Sequence, residues 1–222
     1  MATTASPSAL RASAFRVRYV WWTVFALMAA LVLFTRELTL LDPNSFLRQR
    51  YAPFAVLMFL HGIPGATVLL IGPFQFSTWL RQRFTKLHRV SGRIYAGCVL
   101  ISAPVAILVA INLPVPTLLS ASIIQASGWI LTTGTAIYCI LTGRVQPHRE
   151  WMMRSYPFAA VFIVARAVDM IPAIDRMGVV GLEATVWSAI ALAGMLPSFV
   201  IAWQAIPPRK RAANPSAISS RG

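Results

Sequence analysis

Three histidines and a group of arginines carry the residue types in this chain that could do chemistry. His88 opens the stretch His88-Arg89-Val90-Ser91-Gly92-Arg93-Ile94-Tyr95. His148 opens a looser copy, His148-Arg149-Glu150-Trp151-Met152-Met153-Arg154-Ser155-Tyr156. Each copy begins a hydrophobic segment. A b-type haem needs two neutral imidazoles at one depth on facing helices, and arginines near the membrane surface suit its propionates. On that chemistry His88 and His148 are candidate haem-iron ligands, and Arg89, Arg93, Arg149 and Arg154 are candidate propionate partners. A plainer reading makes them interfacial groups beside Trp79 and Trp151 that meet anionic phospholipid at the cytoplasmic face. Basic loops make that the default in any multipass protein.

The third histidine belongs to another layer. His61 lies eight residues past Pro53, about 12 Å into its segment at the rise of a helix. Arg166 lies about 9 Å from Pro172 on the same count, and Gln125 falls at a similar depth. Ionisable groups inside a membrane are costly and usually face the bundle interior. His61, Gln125, Arg166 and Asp169 therefore form a candidate intramembrane polar site for an anion, a quinone or a haem edge. Asp169, three residues past Arg166, shares its helical face and could pair with it. The plainer alternative is a structural Arg–Asp pair and a histidine bonded to a backbone carbonyl.

The elements that must position these residues follow from composition. The chain has 222 residues, 57% hydrophobic and 12% charged, where a soluble domain carries about 25% charged residues. So little charge cannot cover so much apolar chain, which makes this an integral membrane protein. Apolar runs at 19–35, 53–76, 91–111, 118–142, 155–171 and 185–203 are each near the roughly 20 residues that span hydrocarbon. The expectation is an all-α bundle of six transmembrane helices over 17–204, with disordered tails at 1–16 and 205–222. A signal peptide competes for the first run, which is long for an h-region and lacks an Ala-x-Ala-like site.

Net charge is +14, but the cations sit in the gaps between apolar runs, so nucleic acid is not the expected partner. Fifteen of the twenty Lys and Arg fall on alternate gaps, which puts both termini in the cytoplasm. Cys98 and Cys139 both lie in apolar runs, so neither a disulfide scaffold nor covalent c-type haem attachment has support. Phosphate loops, metalloprotease motifs and nucleophile elbows are absent.

Read together, His61 with Gly65, Ile71-Gly72-Pro73-Phe74-Gln75-Phe76, His88-Arg89-x-x-Gly92-Arg93-x-Tyr95, His148-Arg149-x-Trp151-Met152-x-Arg154-Ser155-Tyr156 and Arg166 resemble domain-of-unknown-function family 2306. The likeness covers about 53–172 and leaves the first and last helices outside its motifs. It implies a multipass fold in a bacterial inner membrane and no particular activity. A weaker likeness is to the cytochrome b561 type of di-haem bundle, whose histidines pair the second helix with the fourth and the third with the fifth. His88 and His148 match the third-with-fifth pair. The fourth helix here has Gln125 and no histidine, so a second bis-histidine haem is not implied. Three functions stay open: a haem b or quinone electron-transfer protein with a redox partner, a transporter or receptor using His61, Gln125 and Arg166, and an accessory membrane subunit. Spacing alone leaves the ligand, the oligomeric state and the facing of His88 and His148 undetermined.

Overall fold

A computed structural model describes residues 23–113 and 115–206. The tail assigned to 1–16, all but the first two residues of the tail assigned to 205–222, and the start of the first apolar run lie outside the described residues. Among the described residues the secondary structure is all helical, with no strand. Helix α1 is described over Thr23–Thr35 and ends in a widened π-helical turn, Leu33–Glu37. A short turn, Leu38–Leu41, and helix α2, Phe46–Tyr51, form the connection to α3, Ala55–Gln75. Then come α4, Thr78–Arg83; α5, Thr85–Ile111; α6, Thr117–Leu141; α7, Val145–Asp169; α8, Pro172–Asp175; and α9, Val179–Ala205.

Among the described residues, four helices are long and apolar enough to cross a membrane: Ala52–Gln75, Thr85–Ile111, Thr117–Leu141 and Val179–Ala205. Helix α7 is as long, yet His148, Arg149, Glu150, Arg154, Arg166 and Asp169 all lie on it. Only eleven residues separate Arg154 from Arg166. Composition alone therefore does not make α7 a span.

Helices α5 and α7 begin well before the apolar runs at 91 and 155 that mark them in the sequence. The apolar run records the thickness of hydrocarbon, whereas the backbone keeps its hydrogen-bonded turns beyond it. Both His-Arg stretches are thus helical rather than loop. Gly143 makes the α6–α7 connection short: at φ 76° it takes the left-handed conformation that closes a helix, and Arg144 N–H donates to Cys139 O at 2.8 Å.

Helix α7 packs on α6, α9 and α3, and α5 packs between α3 and α6. Small residues set the closest approach. Gly72 of α3 lies against the Tyr156 ring of α7, where a Cβ would overlap the ring. Helix α1 joins the core through Phe25, edge-on to Tyr156 at 6.2 Å between centroids, and through the fully buried Val32. Leu60, Leu131, Phe199 and Trp203 face outward. An apolar exterior over a small core is what a bilayer-embedded bundle requires, because lipid replaces water on that surface.

Candidate ligand cavity

The sequence grouped His61, Gln125 and Arg166 by depth, and the structure brings all three to one cavity of about 470 Å³. It lies at the end of the bundle where α3 begins and α5 ends, between α3, α5, α6 and α7. Most of its wall is apolar, from Leu33, Met58, Phe59, Leu69, Phe158 and Phe162 among others. Polar groups reach it from Arg48, Tyr51, His61, Ser102, Ser122, Gln125, Trp129 and Arg166. Among the described residues, no carboxylate lines it. Its volume and mixed lining are those of a small-molecule site.

His61 is held by α5. Its Nδ1 lies 3.0 Å from the Ser102 carbonyl oxygen, and Ser102 Oγ donates to the His61 carbonyl at 2.9 Å. Gly65, one turn on, leaves the room that Ser102 Oγ occupies. Pro64 and Pro104 lie inside the two helices near this contact, where proline removes a backbone donor and loosens the turn. A carbonyl can only accept, so the neutral ring carries its proton on Nδ1. That leaves Nε2 as a lone-pair acceptor on a cavity-lining side chain.

Phe162 meets the His61 ring edge-on at 6.4 Å, and the Arg166 guanidinium lies 5.0 Å over the same Phe162 ring. Gln125 Nε2 donates to the Phe158 carbonyl at 3.0 Å, which fixes the amide across α6 and α7.

Asp169 does not join this group. It is absent from the cavity wall, and among the described residues the one ion pair is Glu150–Arg154. Side chains on a helix lean toward its N-terminus. Arg166 therefore folds back over Phe162, one turn earlier, and away from Asp169.

Two members lacked a signal in the apolar periodicity. Arg48 lies 5.3 Å over the Phe59 ring and Tyr51 packs edge-on against Phe54. Both sit on α2, in what reads as a polar loop. Ser45 is the one usable mark, since its hydroxyl accepts from Arg48 N–H and caps α2.

At the opposite, basic end, His148 Nδ1 donates to the Ala136 carbonyl at 2.8 Å. His88 Nδ1 is buried without a hydrogen-bond partner. Seven residues past each histidine, Tyr95 Oη and Ser155 Oγ meet at 3.0 Å, and Ser155 Oγ meets Thr133 Oγ1 at 2.7 Å. All three side chains are buried. Arg154 is turned to α9, with Nε donating to Ser198 Oγ at 3.2 Å and its guanidinium over Trp151. Arg89, Arg93 and Arg149 are exposed. Of the residues a haem would need, Arg154 faces α9 rather than the two histidines, and the Tyr95–Ser155–Thr133 contacts join α5, α6 and α7 seven residues further on. Among the described residues, no group of three His, Cys, Asp or Glu could hold a metal ion.

Residues 58–206 match the model of the family described as predicted membrane protein (DUF2306). The chain belongs to that family. The match runs through α9, so the last helix is part of the DUF2306 unit, although the motifs in the sequence stop near residue 172. Comparison with curated proteins and with solved structures returned no match for this DUF2306 protein.

Proposed function

We propose that this multipass membrane protein binds a small amphipathic anion in the α3–α5–α6–α7 cavity, as a transporter or receptor. One observation carries the reading: Arg48 and Arg166, from separate elements, border a largely apolar cavity whose described wall has no acid. Each guanidinium lies over a phenylalanine ring, an arrangement that orients the planar fork, and such a fork matches a carboxylate or phosphate. His61 adds a selection rule. With Nδ1–H given to Ser102 O, Nε2 accepts a proton donor, so a ligand hydroxyl or a quinol suits it and a quinone carbonyl does not. The distribution of Lys and Arg supports a bacterial inner membrane with both termini cytoplasmic and the cavity toward the outer face.

The test uses purified protein in nanodiscs and a panel of apolar carboxylic acids, matched alcohols and methyl esters, read by thermal shift and native mass spectrometry. The acids are expected to bind and the esters not. Arg48→Gln or Arg166→Gln is expected to lower affinity for the acids about 10-fold or more, the scale of one charged hydrogen bond. Equal binding of acids and esters would overturn the anion reading, and binding by neither would leave the accessory-subunit reading in its place.

A further inference from the structure

The wall of the cavity is most exposed on the side of α3. That helix turns an apolar row outward, Val56, Leu60, Ile63, Leu70 and Phe74, at the spacing of one helix face. Ile63 is 64% exposed in that row and also lines the cavity. Gly62 beside it is exposed and lines the cavity too, and a Cβ there would meet nothing within 4 Å. The other exposed wall residues are Leu38 and Leu41. They sit in the turn after α1, which packs chiefly on its chain neighbours, Leu33–Glu37 and α2. Among the described residues, the exposed part of the wall is thus wholly apolar, while Arg48 and Arg166 are half-buried.

Depth says what lies outside. Gly62 is ten residues past Ala52, where the apolar span begins. That is about 15 Å along the helix, half of the roughly 30 Å of hydrocarbon. An exposed residue at this level meets acyl chains and not water. Arg48 lies four residues before the span, at headgroup level, where arginine suits the membrane surface.

We propose that Gly62, Ile63, Leu38 and Leu41 rim a lateral mouth from the cavity into the bilayer, and that the occupant is a single-chain lipid acid. This rests on the anion reading above and adds the class of the ligand and its route. The acid group lies at the arginines, and the chain runs along the apolar wall and out past Ile63 into the adjoining leaflet. A water-borne anion would call for a polar entrance, and the exposed rim supplies no polar side chain. A short acid fits within the cavity without the mouth, whereas a long one needs it.

Full-length protein in phosphatidylcholine nanodiscs is offered octanoic or hexadecanoic acid at matched bilayer content, and bound acid is counted by native mass spectrometry. Wild type is expected to bind both. Gly62→Trp puts an indole into the open space of the mouth. It is expected to weaken hexadecanoic acid about 10-fold or more, the scale of an overpacked contact, and octanoic acid by no more than about 2-fold. Ile63→Trp, on the outward row, covers the mouth from the lipid side should Gly62→Trp fail to fold, with the same expectation. Loss or retention of both acids alike in these variants overturns the mouth and leaves the anion reading standing. Octanoic acid bound by wild type without hexadecanoic acid overturns the ligand class alone. Binding of neither acid overturns both readings.

Discussion

The two His-Arg stretches read as copies in the sequence and do different work in the bundle. His148 Nδ1 is bonded to the α6 backbone at 2.8 Å, whereas His88 Nδ1 is buried without a partner. The tyrosines diverge further. Tyr95 is seven residues past its histidine and Tyr156 eight past its own. One residue rotates a side chain by about 100° around a helix. Tyr95 therefore points to α7, where it meets Ser155, the residue at the matching seventh position. Tyr156 points to α3, lies on Gly72 and donates to Leu69 O at 3.2 Å. A single extra residue in the second spacer separates a polar bridge from an aromatic wedge.

Substitutions can break this comparison, and the wedge should break it hardest. Gly72→Ala places a methyl in the Tyr156 ring and forces α3 from α7; overpacking of this kind costs about 1–3 kcal/mol. A fall in melting temperature in nanodiscs, relieved by adding Tyr156→Leu, is the expected outcome. An unchanged melting temperature would mean that the two helices are not in contact. Ser155→Ala acts on the bridge, since it leaves the buried Tyr95 and Thr133 hydroxyls without their shared partner. Its expected cost is about 1–2 kcal/mol, shrinking when Tyr95→Phe and Thr133→Val are added. A double-mutant cycle without coupling would show that the hydroxyls do not meet. The histidines give the smallest and sharpest contrast. In lipid-free detergent His148→Phe should cost about 1 kcal/mol by losing its bond to Ala136 O, and His88→Phe close to nothing. Equal losses would erase the asymmetry between the copies.

Some of the site was legible beforehand because helix rise converts residue number into depth. Counting from Pro53 and Pro172 put His61, Gln125 and Arg166 in one layer, and they share one cavity. Depth says nothing of rotation or of side-chain lean, so the count missed that Asp169 stands apart from Arg166 and that Arg154 turns to α9. Arg48 and Tyr51 escaped because nothing periodic in 36–50 says that this connection folds back over the bundle. The helix starts at Thr85 and Val145 escaped for a different reason. Polar residues on a helix that overhangs the membrane look like loop when hydropathy is the guide.

Helix α7 carries five charged side chains and a histidine, yet it touches α3, α6 and α9. An isolated segment of that composition gains little from lipid, since each charge opposes partition into hydrocarbon. Packing against neighbouring helices offsets that cost, and the three-residue connection after α6, Thr142 to Arg144, presents α7 to them at once. The expected consequence is cooperative insertion, with α6 and α7 entering as a hairpin and α7 left at the interface when its receiving helices are deleted.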